Sequence, residues 1–302
     1  MTALLDLLAP DFILRNALVG GVIIGLVAPV LGLFVFLRRM VFLGVALPQI
    51  SAAGIAGAVF WHAAFHRHGD PNLSDFVVAL VGSIVFTTAA MGLIAALDRH
   101  RSGFTEGRIG VLYAFAGAMT ILLLASDRIA EIGVVGLLKG QIVAISDTEL
   151  EILAAGYGLV LLALWAFRKE LILVSVDREL ALSLGKRVWG WDLLLFGLIG
   201  TTISLGVLVV GPLVMFGFLV VPPLIASRLA VGLPGLAAVA SLAGGGTSVL
   251  GFYAAYRLDW PTGPTDVALA CALLALVVVV QAGSLRLRTV LGGRATRRNG
   301  VS

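Results

Sequence analysis

The chain has 302 residues, 60% of them hydrophobic and only 13% charged, with a formal net charge of +4. Soluble domains carry about 25% charged residues, and a mean hydropathy of +1.07 leaves too little polar surface for a large soluble all-α protein, so the bilayer is the solvent. A single cysteine, Cys271, excludes a disulfide framework.

The start, MTALLDLLAPDF, has no basic region ahead of its apolar residues, so insertion is expected to use the spans themselves. A membrane-crossing helix needs about 20 apolar residues. Residues 16–37 are uncharged and close on Arg38-Arg39, which makes them the first span. Residues 40–66 contain no Asp, Glu, Lys or Arg, but Pro48 interrupts them. Because an interior proline removes a helical hydrogen bond, the expectation is a loop or short broken helix through 45–51, then a second span ending near Trp61. The following loop, WHAAFHRHGDPNLSD, holds His62, His66 and His68. His62 and His66 are four apart, a spacing that shares one helix face. They are candidates for gathering metal, against the plainer reading of an ordinary polar loop.

Span three is expected at 76–97, a basic loop at 98–108 and span four at 109–125. Six charges between 126 and 149 leave only short apolar pieces, which suits a half-helix or an interfacial helix. Span five is expected at 152–167. A charged island follows: eight of the twenty residues in RKELILVSVDRELALSLGKR, 168–187, are ionisable. Within it Asp177 is placed to cap a short helix, Leu180, Ala181 and Leu184 can form an apolar stripe, and Gly185 can close the end before Lys186-Arg187. Such a helix could dock on a soluble partner; an ordinary solvated loop is the alternative.

Residues 193–227 carry no charge. As one helix they would extend about 52 Å, against a hydrocarbon core of about 30 Å. The run must therefore bend, with Gly211-Pro212 and Pro222-Pro223 as the obvious places. This predicts a span plus a broken or re-entrant helix, and makes 205–227 a candidate pathway wall, since irregular backbone at membrane depth needs cover from protein or a water-filled path. Spans at 233–255 and 266–285 precede a basic tail, 286–302. Lys and Arg concentrate in cytoplasmic loops, which puts the island and the tail inside and the histidine loop outside. The fold expected is an all-α polytopic membrane protein of eight to nine transmembrane helices with broken or re-entrant segments. It forms a single transmembrane domain, 1–302, with a cytoplasmic coupling loop at 168–190. The side on which the amino end lies stays open.

No phosphate-binding loop, H-E-x-x-H, G-x-S-x-G or paired cysteines occur, so the chain is not read as an enzyme. No nucleic-acid partner is expected.

Several stretches resemble the membrane subunits of ATP-binding cassette importers of the zinc/manganese/iron family. They are LGLFVFLRRMVFLGVALPQISAAGIAG (31–57), IGVLYAFAGAMTILLL (109–124) with Glu106 where an Asp is usual, LLKGQIVAISDTEL (137–150), and GFYAAYRLDWPTGPTDVAL (251–269) through Tyr256, Leu258, Asp259, Pro261 and Gly263. The island is similar to the family's coupling segment through Asp177, Glu179, Ala181 and Gly185. The resemblance implies a permease in a bacterial cytoplasmic (inner) membrane that pairs with a second copy. It also implies a cytoplasmic ATP-binding subunit that uses the ATP, a periplasmic or extracellular solute-binding protein, and no cofactor in this chain. It departs where the family carries D-A-L-S-H, thought to bind the passing metal: here stand Val45, Ala46, Leu47, Pro48 and Gln49. Neither Val nor Gln is a usual ligand for Zn²⁺ or Mn²⁺. Three cargo readings follow: a cation passing weak ligands (Gln49, Ser51, Met119, Gln141, Met215), a chelate, or a non-metal solute. An ion-coupled secondary transporter is the rival from another class, although such carriers place ionisable groups inside their spans. A non-transporting scaffold is a second, made less attractive by the proline-broken 205–227.

Overall fold

The computed structural model describes residues 14–38, 40–65, 73–98, 105–125 and 145–298. They form ten helices: α1 Arg15–Leu37, α2 Val41–Phe65, α3 Leu73–Asp98, α4 Thr105–Leu124, α5 Asp147–Ala166, α6 Arg168–Val176, α7 Arg178–Ser183, α8 Val188–Leu229, α9 Leu233–Leu258 and α10 Thr262–Arg298. Among the described residues eight, α1–α5 and α8–α10, are long and apolar enough to cross a membrane. The short α6 and α7 are the charged island.

α1 and α8 sit at the centre. In lipid there is little hydrophobic drive between helices, so association rests on close packing of small residues and on hydrogen bonds. α1 meets α9 backbone to backbone: a Cβ added at Gly25 would lie 2.7 Å from the Gly244 carbonyl oxygen. One turn away the Ser241 hydroxyl donates to the Leu26 carbonyl at 2.8 Å. α2, α3 and α8 are pinned by buried hydroxyls. Ser51 and Ser83 lie 2.6 Å apart, and Thr87 and Ser204 lie 3.2 Å apart.

Three expectations about helix limits need correction. α2 runs unbroken through Pro48. The proline forfeits one backbone bond, and the helix is held by buried Leu43, Ala46, Leu47 and Ile50 packed on its neighbours. α5 starts at Asp147, not 152, because Ser146 and Glu149 form a reciprocal capping box: the Ser146 hydroxyl accepts from the Glu149 N–H at 3.3 Å, and the Glu149 carboxylate accepts from the Ser146 N–H at 2.9 Å. Asp147 and Glu149, read as span-breaking charges, thus occupy the first turn, where the helix dipole favours anions. The expected basic tail continues α10 as helix through Arg298. The half-helix expected before α5 lies outside the described residues.

The long uncharged run behaves as its length demands. α8 covers 42 residues and is interrupted once, at Gly211, with φ 80° and ψ 166°. That region is open essentially to glycine alone, and the next residue, Pro212, has no N–H to leave unpaired. The two arms, 188–210 and 212–229, are about 34 and 27 Å long. Met215 packs against Gly206 of the other arm, so the chain turns back on itself here. Pro222-Pro223, the other expected bend, stays helical inside the second arm.

Contacts also orient the bundle. The Asn16 side-chain amide donates to the Asp147 carboxylate at 2.7 Å and to the Ile145 carbonyl at 3.2 Å, so α1 and α5 start at one face. Arg38, past the end of α1, pairs with Asp192 near the start of α8, at the opposite face with the island. With the basic island on the cytoplasmic side, α1 begins at the outer face. Exposed tryptophans suit both interfaces: Trp61 and Trp260 on the outer side, Trp165 and Trp189 on the inner.

Candidate functional site

The island is built from the residues expected. α7 is a six-residue helix entered through Asp177, whose carboxylate accepts the Leu180 N–H at 2.9 Å. At the other end Gly185 takes φ 70°. The Gly185 N–H bonds the Leu182 carbonyl at 3.0 Å, and the Lys186 N–H bonds the Ala181 carbonyl at 3.1 Å. This pair of bonds is a complete glycine-closed terminus. Lys186 then reaches back toward Glu170 of α6 at 3.8 Å.

The expected apolar stripe is divided, not continuous. Ala181 is fully buried against Val174 of α6 and Val188 of α8, where only a small side chain lets α7 lie down. Leu180, Leu182 and Leu184 face outward, 46, 58 and 60% exposed. Consecutive helical residues differ by about 100°, so Ala181 could not share a narrow face with Leu180. The outcome is a seated helix showing three leucines and Glu179 to the solvent.

Beneath α7 is a feature the sequence did not reveal. Arg38 donates to Asp192 Oδ1 at 2.7 Å, with both side chains about nine-tenths buried. The Arg38 Nε donates to the Ser175 hydroxyl of α6 at 3.3 Å. Its guanidinium also lies 5.1 Å from the Phe196 ring centroid, a cation–π distance. Arg178 of α7 approaches the second Asp192 oxygen at 3.4 Å. Residues 154 positions apart leave no periodic trace, so no sequence signal marks this pairing.

The candidate pathway residues scatter. Gln49, half-buried on α2, points its amide toward Gly117 of α4, where Met119 is also half-buried. Ser51 spends its hydroxyl on Ser83. Met215 is fully buried at the turn of α8. Gln141, His66 and His68 lie outside the described residues, and His62 is half-buried near the end of α2. Among the described residues no three His, Cys, Asp or Glu side chains converge as a metal site. Val45, where the resemblance expects a carboxylate, lines an open cleft of about 440 Å³ with Val41, Phe42, Phe216 and Glu106.

A second buried carboxyl, besides Asp192, lies in α10. Asp266, expected at a loop edge, is 2% exposed in α10, and its Oδ1 has no hydrogen-bond partner. It sits directly over Gly251 of α9.

Comparison with known proteins accounts for this architecture. The ScaB manganese import system permease protein of Streptococcus gordonii is 28% identical over 268 residues, 87% of this chain and 89% of that protein. The ZnuB high-affinity zinc uptake system membrane protein of Haemophilus influenzae is 27% identical over 201 residues, 67% of this chain and 72% of that one. Among solved structures, PsaBC from Streptococcus pneumoniae in complex with Fab matches with a TM-score of 0.76 and 25% identity, covering 92% of this chain and 95% of that chain. Eight apolar helices and these relatives describe a multi-pass protein of a bacterial inner membrane. The ABC 3 transport family model matches residues 11–282, nearly the whole sequence, and the chain belongs to that family.

Proposed function

We propose that the chain is the membrane-spanning permease subunit of an importer that carries a divalent metal ion, zinc, manganese or iron, into the cell. The energy comes from a separate cytoplasmic subunit that binds and hydrolyses ATP. Two copies of the permease pair around a central pathway, and a periplasmic or extracellular solute-binding protein delivers the cargo. The observation that carries this reading is α7: a short helix capped at both ends, seated by Ala181 and presenting Leu180, Leu182, Leu184 and Glu179 on the cytoplasmic face. Exposed leucines on a rigid, water-facing helix suit insertion into a groove of another protein. In this reading Asp177, Ala181 and Gly185 shape the helix and Glu179 contacts the ATPase.

A second cargo reading, a metal chelate, is favoured by the walls around Val45. Val41, Phe42, Val45 and Phe216 are apolar and Glu106 is the one carboxylate at this open cleft, a poor set of ligands for a bare cation. Co-expression with ATP-binding subunits of metal importers from the same organism tests the first proposal. The chain should co-purify with one of them, and Glu179→Lys should abolish both the association and uptake. An intact, transporting complex with Glu179→Lys would remove α7 from the mechanism. Cargo is read from deletion cells given Zn²⁺, Mn²⁺ or Fe²⁺, bare or chelated. A deficit seen only with the chelated metal selects the chelate.

A further inference from the structure

A helix that docks an ATPase is useful only if its displacement reaches the spans. The charges beneath α7 join four elements at one point. Asp192 belongs to α8, the helix that turns back at Gly211, and both its oxygens are engaged. Oδ1 accepts from Arg38 at 2.7 Å and Oδ2 meets Arg178 at 3.4 Å. Arg38 follows α1, and its Nε holds Ser175 of α6 at 3.3 Å. The Phe196 ring, one turn along α8 from Asp192, covers the guanidinium. A buried ion pair is seldom retained for stability, because desolvation offsets most of the attraction, while loss of one partner leaves an unpaired charge behind. What such a group does well is fix a geometry, since its directional bonds resist sliding in a way that packed aliphatic side chains do not.

The remaining contacts of α7 support this division of labour. Ala181, Val174 and Val188, with Leu173 and Trp191 packed against them, form an apolar seat to which α7 itself contributes one alanine methyl. Glu170 and Lys186 are partly exposed and 3.8 Å apart, a weak tie in water. Arg178–Asp192–Arg38 is the connection that joins α7 to both α1 and α8 through charged groups.

We propose that Arg38, Asp192 and Arg178 form the transmission linkage of the permease, passing displacement of α7 to α1 and α8 and so to the turn at Gly211. They are positioning residues that act through α8 and touch no cargo. The inference rests on the reading of α7 as the docking helix. A shared location does not itself establish coupling; what does is a perturbation that leaves both ends intact and cuts the communication.

The test uses the full chain with its ATPase in lipid nanodiscs and needs no cargo. In a Cys271→Ser background, Leu213→Cys places a thiol just past the turn of α8, where the native side chain is 62% exposed. Its maleimide labelling rate is compared with and without ATP. The rate should change by about fivefold or more, the ratio expected from a modest coupling energy between two sites. Asp192→Asn keeps the shape and removes the charge. The ATPase should still co-purify, and the ATP-dependent change should fall toward none. Asp192→Glu, which keeps the carboxylate facing both Arg38 and Arg178, should restore much of it, which a role in packing shape alone would not predict. Should Asp192→Asn prove unstable, Arg178→Gln reports instead, because that side chain is 60% exposed and its loss cannot unfold the spans. It should weaken the response. An undiminished response in Asp192→Asn, or in Arg178→Gln where that variant reports, would overturn the linkage. So would loss of ATPase binding by Asp192→Asn, or a wild-type rate indifferent to ATP. Glu179→Lys is scored only for ATPase association: if the ATPase stays bound, the docking reading fails, while the Asp192 comparison still reads communication within the bound complex.

Discussion

The turn at Gly211 should be intolerant of any side chain, and alanine is the smallest probe. With φ 80° and ψ 166°, Gly211 occupies a region that costs other residues about 1–3 kcal/mol. A difference of that size shifts an equilibrium by roughly 5- to 150-fold. The control lies in the same helix. A Cβ added at Gly197 meets nothing within 4 Å, and there alanine should stabilise by about 0.5–1 kcal/mol through helix propensity. The two substitutions add the same methyl group to one helix and should act with opposite signs. Thermal unfolding of the detergent-solubilised chain, followed by loss of monodispersity or by far-UV circular dichroism, reads both. Gly211→Ala should melt lower than wild type and Gly197→Ala at the same temperature or higher. Equal melting of the two would mean that α8 is not held in the glycine-only conformation, and the folded-back arrangement would lose its main support.

Three further outcomes follow from other contacts. Asp266→Asn should match wild-type thermal stability or exceed it, because it keeps the shape of a buried carboxyl that has no partner at Oδ1 and cannot ionise there; a marked loss would show that the carboxyl has a partner. Gly244→Val should destabilise by about 1–3 kcal/mol, the usual result of overpacking, since its side chain would drive into the Gly25 carbonyl of α1; an unchanged melting curve would contradict the close contact. Ser146→Ala should cost about 0.5–2 kcal/mol by opening the cap of α5, and hydrogen exchange should rise first at residues 147–150.

What the sequence made legible was local chemistry. Asp177 and Gly185 lie within a few residues of the groups they satisfy, so the limits of α7 follow from capping rules alone. The bend was legible for a similar reason, since a run too long for the bilayer had to turn, but Gly211-Pro212 and Pro222-Pro223 stood as equal places for it, and only Gly211 leaves the helix. Pro48 was misjudged because a proline's effect on a buried helix depends on its neighbours, which are far away in sequence. The capping box at Ser146 and Glu149 was written in the chain but hidden by treating charges as interruptions to a span. Ala181 turns to the opposite side from Leu180, as the 100° step between neighbours requires; which of the two faces inward is set by Val174 and Val188, which sequence spacing does not reveal. Arg38 and Asp192 could be found only in three dimensions.

The buried hydroxyls joining α2, α3 and α8 bear on how such a chain diverges. In a lipid solvent one large aliphatic side chain facing outward serves as well as another. Val111, Phe115, Ile121 and Leu122 of α4, all more than 60% exposed, can therefore drift among apolar identities with little effect on helix register. Register rests instead on a few pairs, such as Ser51 with Ser83 and Thr87 with Ser204, and on glycines where backbones touch. That leaves most of the sequence free to vary, and it accounts physically for two chains sharing 25% identity while their backbones superpose with a TM-score of 0.76.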